Sequence, residues 1–340
     1  MEMGILMFPN PAATLPMARM VEGLGFDSFV FADTQCLTPE VWTHLMLVAT
    51  ATERMEIGTG VTNPVSRDPA VTASAALAVQ HASGGRLVLG IGRGDSSMAK
   101  IGRKPAPPAV FERYIEQLRR YLDGQEVDRD GSPSRIEWLD DCEVPYVPLE
   151  VAATGPRVIE LAARHADRIC FAVGADTERI EACMARAREA AEAADRDPQS
   201  LRFGAYVNCL VHDDREVARE AIRGSLSVFA HFSGFQGMDI SALPRDVQAA
   251  ASHLRTAYDM KNHAVSAGAH AQALSAEFIH RFGIAGPLDE AMTRLREIRE
   301  TGVDFLRIIP GSRDMPPGIG AESMQGVAKA RAALAAEASA

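Results

Sequence analysis

Eight short apolar stretches, each followed by a segment with helical periodicity, recur along the 340-residue chain. The stretches are apolar on both faces, which is typical of strands buried in a parallel sheet that helices cover. Eight such units favour a closed barrel over an open doubly wound sheet, although counting strands leaves the open sheet as an alternative. We therefore predict an α/β protein, a (β/α)₈ TIM barrel. Its predicted strands span 4–8, 27–33, 55–61, 86–92, 148–154, 167–173, 202–212 and 303–310.

Two stretches do not fit this repeat. Residues 124–147, after the fourth strand, contain an Asp-Gly pair flanked by β-prone residues, which predicts a hairpin insertion. Residues 227–286, after the seventh strand, have a weaker pattern, and a barrel would place them over its mouth as a lid. No linker divides the chain, so we predict one domain over 1–340. The aromatic and histidine residues of the predicted lid are Phe229, His231, Phe232, Phe235, His253, Tyr258, His263 and His270.

Composition excludes several classes of function. A formal net charge of −10 argues against a nucleic-acid partner, because phosphate binding requires a basic surface. The five cysteines have no CxxC spacing, which is typical of free thiols in a reducing compartment. No apolar run approaches the ~20 residues of a membrane span, and the N-terminus resembles no signal peptide. We expect a cytoplasmic protein without a metal site, because neither H-x-H nor HExxH occurs.

The chemistry of a barrel lies at the carboxyl ends of its strands. Six of these ends are rich in glycine, small hydroxyls and amides, which let backbone N–H groups approach a flat or anionic ligand. Thr154 is expected to cap the following helix, whose free N–H groups suit a phosphate, although an ordinary capped helix would have the same sequence. Asp95 is either a proton donor and acceptor or the cap of the next segment. The six ends are 8–10, 33–35, 60–63, 92–95, 154–156 and 310–313.

These motifs resemble those of luciferase-like flavin-dependent oxidoreductases. The similarity is most specific in TGVTNP (59–64), SGGR (83–86), GIGRGD (90–95) and the junction at 154–156, and it extends over nearly the whole chain. Within that superfamily the chain resembles most the branch of methylenetetrahydromethanopterin reductase and other deazaflavin-dependent enzymes.

The resemblance implies FMN, or alternatively the deazaflavin coenzyme F420, at the barrel mouth. It also implies a non-proline cis peptide that forms a bulge behind the cofactor ring, and a homodimer. The implied cofactor contacts are Gly60 and Val61 at the bulge, Thr62 and Asn63 near the ring, Gly92, Arg93 and Gly94 along its edge, and Thr154, Gly155 and Pro156 at the phosphate.

One departure from the family affects the predicted chemistry. Deazaflavin relatives often carry an Asp-His pair after the second strand, whereas this chain has Asp33-Thr34 followed by Gln35. Without the histidine, catalysis would depend on Asp95, Asp33 or Gln35. This favours a monooxygenase that uses reduced FMN and O₂ on a small organic substrate, with a separate reductase supplying the flavin. The alternatives are a deazaflavin-dependent reductase or dehydrogenase that transfers a hydride, and a flavin-binding barrel without turnover.

Overall fold

A computed structural model describes residues 1–232, 241 and 244–339 of the chain. The strands are β1 (Glu2–Met7), β2 (Ser28–Phe31), β3 (Glu56–Thr59), β4 (Leu87–Ile91), β5 (Val127–Arg129), β6 (Ser132–Ser134), β7 (Leu149–Ala153), β8 (Arg168–Phe171), β9 (Arg202–Val211), β10 (Ile284–Gly286) and β11 (Phe305–Ile309). The helices are α1 (Thr14–Gly23), α2 (Val41–Ala51), α3 (Pro69–Ala82), α4 (Ser96–Lys100), α5 (Pro108–Leu122), α6 (Pro156–His165), α7 (Thr177–Glu192), α8 (Arg215–Phe232), α9 (Arg245–Ala257), α10 (Ala269–Gln272), α11 (Ala276–Phe282), α12 (Leu288–Glu300) and α13 (Pro317–Ser339).

Eight parallel strands close into a barrel in the order β9-β11-β1-β2-β3-β4-β7-β8, because β9 pairs with both β8 and β11. The predicted (β/α)₈ TIM barrel, with insertions after its fourth and seventh strands, is confirmed. The sequence did not predict β10, a three-residue strand that pairs with the end of β9 outside the ring. Such a short run between glycine and proline has too few residues to display strand periodicity.

The barrel strands are buried on both faces. Every residue of β2, β4, β8 and β11 is buried, which explains why these strands consist mainly of apolar residues and do not alternate. The exceptions are Ser28, Arg168 and Arg307. Outward-facing side chains pack against the helices, whereas a smaller cluster fills the interior. The buried members of that inner cluster are Leu6, Val30, Cys170, Tyr206, Phe305 and Ile309.

An ion pair closes the bottom of the barrel. Arg307 Nη2 donates to Glu150 Oε2 at 2.5 Å, and both side chains are 2% exposed. Arg307 also donates to the Ser28 hydroxyl. Because Arg307 and Ser28 both align with Gly4 near the start of β1, the pair lies far from the mouth and stabilises the barrel floor.

The two predicted insertions have distinct structures. β5 and β6 form the expected antiparallel hairpin, whose turn residues Asp130 and Gly131 have φ of 54° and 87°. Within 227–286, which we call the lid insertion, the described residues are mainly helical, and the predicted lid residue Phe235 lies outside the described part. No described helix is long and apolar enough to cross a membrane.

The lid insertion contacts the mouth of the barrel at three loops. Lys100 after β4 donates to the carbonyl of Met260, and Ala175 after β8 donates to that of Phe282. The backbone N–H of Arg313, after β11, donates to the Ala264 carbonyl at 2.9 Å. Each of these loops follows the carboxyl end of a strand, so the residues of the insertion that make these contacts lie at the mouth.

Candidate active site at the barrel mouth

A buried carboxylate joins the loops that follow β2 and β3. Asp33 is 3% exposed, and its Oδ2 accepts a 2.7 Å hydrogen bond from the hydroxyl of Thr62. Its Oδ1 accepts from Gln35 Nε2 at 2.6 Å. Burial raises the pKa of Asp33, and the bond from Thr62 opposes that rise. The Asp33 carboxylate therefore organises this side of the mouth and fixes the direction of the Gln35 amide.

Val61 projects into a space that glycines leave open. The Gly60-Val61 peptide bond is cis, as the resemblance implied. A Cβ on Gly92 would lie 2.9 Å from Val61 Cγ2, and a Cβ on Gly60 would lie 2.9 Å from Leu6 Cδ1. The backbone beyond the bulge is held to β4, because Thr62 N–H donates to the Gly90 carbonyl at 3.0 Å. A side chain at position 92 would therefore collide with the bulge at Val61, whereas one at position 60 would displace the side chains of Leu6 and Val30.

Asn63 offers a buried donor that has no acceptor. The residue is 1% exposed, and its Oδ1 accepts from the N–H groups of Val65 and Ser66. Its Nδ2 has no hydrogen-bond partner among the described residues. Such an orphaned donor is costly unless a ligand carbonyl accepts from it, which fits a heteroaromatic ring at this position. Gly94 makes room, since a Cβ there would lie 2.9 Å from Asn63 Cβ.

Asp95 lies directly after the tip of β4. It occupies the N-cap position of α4, yet its side chain makes no capping hydrogen bond, so the capping alternative is wrong. The residue is exposed, but the protein around it still raises the pKa of its carboxyl, and the charge of Arg93 opposes that rise. Arg93 is itself fixed by a 2.6 Å bond from Nε to the Ala106 carbonyl. No described residue forms a hydrogen bond or an ion pair with the side chain of Asp95, and its proton affinity is increased.

The junction between β7 and α6 is open. The expected cap at Thr154 is wrong, because the helix begins one residue later, with Gly155 as N-cap and no side-chain cap. A Cβ built on Gly155 would meet no atom within 4 Å. The first-turn N–H groups of the ten-residue helix α6 are therefore not covered by a capping side chain, an arrangement that suits a phosphate.

The predicted site residues follow β2, β3, β4 and β7, which are consecutive neighbours in the barrel. They therefore line one side of the mouth, as their positions in the sequence predict. Among the residues that the structure describes, no cluster of His, Cys, Asp and Glu could hold a metal ion.

Aromatic residues of the lid insertion divide into two groups. The ring of Phe229 lies 5.6 Å from that of Tyr206 in the barrel interior, so Phe229 extends the inner cluster towards the mouth. His231 instead stacks on Tyr258 at 4.1 Å, and the Tyr258 hydroxyl lies 2.8 Å from His263 Nδ1. Two of the predicted lid histidines, His231 and His263, thus contact one tyrosine.

The sequence did not predict two residues that contact the lid insertion. Tyr206 lies inside the barrel on β9, and an alternation of inward positions along that ten-residue strand would have indicated it. Lys100 binds a carbonyl 160 residues away, and nothing in its local sequence signals that contact.

Comparison with known proteins finds a matching family and related oxidoreductases. The chain matches a family model described as luciferase-like monooxygenase over residues 3–304. It is 29% identical to the 5,10-methylenetetrahydromethanopterin reductase of Archaeoglobus fulgidus, over 86% of this chain and 87% of that protein. It is 31% identical to an F420-dependent hydroxymycolic acid dehydrogenase of Mycobacterium tuberculosis, over 53% of this chain and 52% of that one.

The fold is also shared with a solved structure. The coenzyme F420-dependent tetrahydromethanopterin reductase from Methanopyrus kandleri superimposes with a TM-score of 0.77 at 21% identity, covering 96% of this chain and 97% of that one. Because the family model spans most of the sequence and the relatives are oxidoreductases, the chain belongs to the luciferase-like monooxygenase family and is a luciferase-like oxidoreductase.

Proposed function

We propose that this protein is a deazaflavin-dependent oxidoreductase that exchanges a hydride between coenzyme F420 and a small organic substrate. The sequence alone favoured reduced FMN and oxygen. The relatives favour the deazaflavin coenzyme instead of FMN. A 5,10-methylenetetrahydromethanopterin reductase matches 86% of the chain, and a second relative is named as F420-dependent.

The observation that carries the proposal is the state of Asp95. A reduction or dehydrogenation of an organic substrate moves a proton together with the hydride, so the protein has to hold a proton near the reacting atoms. Asp95 makes no capping bond, lies at the mouth and has a raised pKa, which are the properties of such a group. Oxygen chemistry in a dry pocket requires less help from side chains.

The residues present fit a flavin-type cofactor. Gly92 and Gly94 leave space beside the bulge at Val61, and the Asn63 amide offers a donor to a ring carbonyl. The open N-terminus of α6 at Gly155 would hold the phosphate. When bound, a deazaflavin supplies two-electron hydride exchange without activating oxygen.

The protein's own part in the reaction is to orient groups and to hold a proton. Thr62 and Gln35 donate to Asp33, which keeps the loops after β2 and β3 in register around the ring. Asp95 would give its proton to the substrate atom that becomes negative, or accept one in the reverse direction. Phe229 and the lid insertion would exclude water from the mouth.

A second candidate is the FMN-dependent monooxygenase. The family model is described as a luciferase-like monooxygenase, and buried Thr34 stands where deazaflavin relatives often have histidine. The same site residues would bind FMN, and a separate reductase would supply it reduced.

Titration of the purified protein with coenzyme F420 and with FMN, followed by quenching of ligand fluorescence, distinguishes the two candidates. We expect saturable F420 binding that is at least tenfold tighter than FMN binding. Tight binding of FMN alone would contradict the proposal and direct the next assay to reduced FMN with oxygen. A Gly155→Glu variant, which places a negative charge at the phosphate position, should weaken binding of whichever cofactor is used, whereas Gly102→Glu in an exposed turn should not.

A further inference from the structure

Asn208 lies on the inner face of β9, at the mouth of the barrel. Tyr206, two residues earlier on the same strand, belongs to the inner cluster, and side chains two apart on a strand share a face. Asn208 pairs with Ile309, the last residue of β11, so it stands where the barrel strands end. The alternate residues of β9 pack instead in the main core with the helices; they are Ala205, Val207, Cys209 and Val211.

The carboxamide of Asn208 is bound on one side and unpaired on the other. The side chain is fully buried, and its Nδ2 donates a 2.9 Å hydrogen bond to Ser225 Oγ on α8. The Ser225 hydroxyl gives its own hydrogen to the Ile222 carbonyl at 3.0 Å, so it can only accept from Asn208, which fixes which amide atom is the nitrogen. Asn208 Oδ1 has no hydrogen-bond partner in the part of the chain that the structure describes.

A buried chain of serines holds Ser225 in place. Its backbone N–H donates to Ser312 Oγ at 3.0 Å, and the hydroxyl of Ser266 lies 2.9 Å from the same Ser312 oxygen. The three serines come from α8, the lid insertion and the loop after β11, and all three are buried. The Asn208 amide is therefore anchored by three separate segments, and Oδ1 is the acceptor that this network leaves open.

The open acceptor lies across the mouth from the candidate cofactor residues. In the ring of eight strands, β9 stands opposite β3, four strands away in either direction. The bulge at Val61 and the unpaired amide of Asn63 follow β3 directly. A cofactor bound there would face Asn208, and a substrate would occupy the space between them.

The surroundings of Asn208 are mainly apolar. Ser225 and Phe229 are four residues apart on α8 and therefore lie on one face of that helix. Ser225 contacts Asn208 and Phe229 packs on Tyr206 at 5.6 Å, so the two contacts are neighbours and the Phe229 ring lies beside Asn208. An acceptor without a donor is unfavourable in such an environment. A donor on a bound molecule is the group that would complete it.

We propose that Asn208 binds the substrate, and that its Oδ1 accepts a hydrogen bond from an O–H or N–H group of a small, otherwise apolar molecule. This inference rests on the proposed function, because the bound molecule is the one that exchanges a hydride with the cofactor. Asn208 takes no proton and only orients the molecule. A site built to accept from a donor rejects a molecule that lacks one, because the buried oxygen then stays unpaired.

Titration of three fluorinated probes, followed by fluorine NMR, tests the preference for a donor. In para-fluorobenzyl alcohol the donor is an O–H group, and in para-fluoro-N-methylaniline it is an N–H group. The third probe, para-ethylfluorobenzene, has a methyl group in place of the hydroxyl. We expect at least one donor probe to bind at least tenfold tighter than the ethyl probe, although the ethyl probe is more apolar. The two donor probes show whether the site prefers O–H or N–H.

Variants at position 208 assign this preference to one oxygen. Asn208→Leu removes the acceptor and should abolish the preference, whereas Asn208→Asp keeps an acceptor oxygen in either protonation state and should retain it. Gln80→Leu is the matched control. Gln80 is also a fully buried amide, but it binds the Tyr146 carbonyl and the Leu87 N–H at the opposite end of the barrel. Its loss should lower the unfolding temperature more than Asn208→Leu does and leave the preference intact.

Equal binding of the three probes by the wild-type protein, or binding of none, would overturn the proposal. A preference that survives in Asn208→Leu would overturn it as well. The probes are titrated with and without excess F420, and binding of F420 is scored separately from the quenching of its fluorescence. A protein that binds no F420 would refute the proposed function, and the probes would still decide whether Asn208 accepts from a donor.

Discussion

The hydroxyl of Thr62 and the carboxylate of Asp33 are joined by a 2.7 Å hydrogen bond that links the loops after two neighbouring strands. The bond also keeps the pKa of Asp33 from rising further. Two residues that are 29 positions apart in the sequence thereby hold the cis bulge at Val61 in register with β2.

Replacing Thr62 with valine should destabilise the protein by about 1–3 kcal/mol, because a buried carboxylate loses one of its two donors. The pKa of Asp33 should rise as well. Urea unfolding at pH 7 measures the free energy. Thr50→Val, on the exposed face of α2, is the control and should remain within roughly 0.5 kcal/mol of wild type. Equal effects of the two substitutions would show that the Thr62 bond contributes nothing specific.

Gly94 and Gly102 form a matched pair for testing space at the mouth. Both have positive φ, 87° and 69°, so an alanine at either position should destabilise the protein by about 1 kcal/mol through backbone strain. Only at Gly94 would the new Cβ also lie within 2.9 Å of Asn63 and Met98. We expect Gly94→Ala to weaken cofactor binding more than tenfold and Gly102→Ala to leave it unchanged. Similar binding by both variants would contradict a role for Gly94 in shaping the site.

The sequence predicted features that depend on local residue patterns, and it did not predict contacts between residues that are far apart in the chain. Strand runs such as 86–92 were recognisable because burial on both faces requires continuous apolar residues. The positions of site residues at strand ends followed from the barrel alone. The cap of α6 was misplaced by one residue, from Gly155 to Thr154, because Thr is the better capping residue and local preference does not fix a helix boundary. The contact of Lys100 with Met260 depends on the folded path of the lid insertion, which no local pattern encodes.

The homodimer that the sequence predicts would find a surface without charged residues on the outer faces of α2 and α3. Neither helix contains Asp, Glu, Lys or Arg, and they expose Leu47 and Val71. A charge-free surface can pack on its own copy without electrostatic conflict. If the protein is a homodimer through this face, Val71→Glu should shift it to monomers in sedimentation velocity. Val110→Glu on α5 is the control, since Val110 is 53% exposed and Val71 52%. Dissociation by Val110→Glu alone would move the interface elsewhere.

The contact between the lid insertion and the mouth should weaken as the pH falls, because protonation of His263 disfavours that contact. Burial and the charges of Lys100 and Arg313 lower its pKa to about 4. In an open, hydrated lid the imidazole would have its ordinary pKa of about 6.5. A histidine whose pKa is lower in the closed state favours closure most above pH 6.5, and that advantage is lost as the pH falls towards 4. At pH 5 the closing equilibrium should be roughly 30-fold less favourable than at pH 8.

Hydrogen exchange of the peptide covering 258–268, measured at pH 5 and pH 8 and corrected for the intrinsic pH dependence of exchange, tests this expectation. His263→Gln keeps a hydrogen-bonding group near the Tyr258 hydroxyl but cannot acquire a charge, so its lid should respond much less to acid. His280→Gln, at an exposed position on α11, is the control and should retain the wild-type response. If His263→Gln opened in acid as readily as the wild type, the acid sensitivity would have to come from another group. The remaining candidates would then be His231 and His270, which pack on the same tyrosine and whose pKa values burial also lowers.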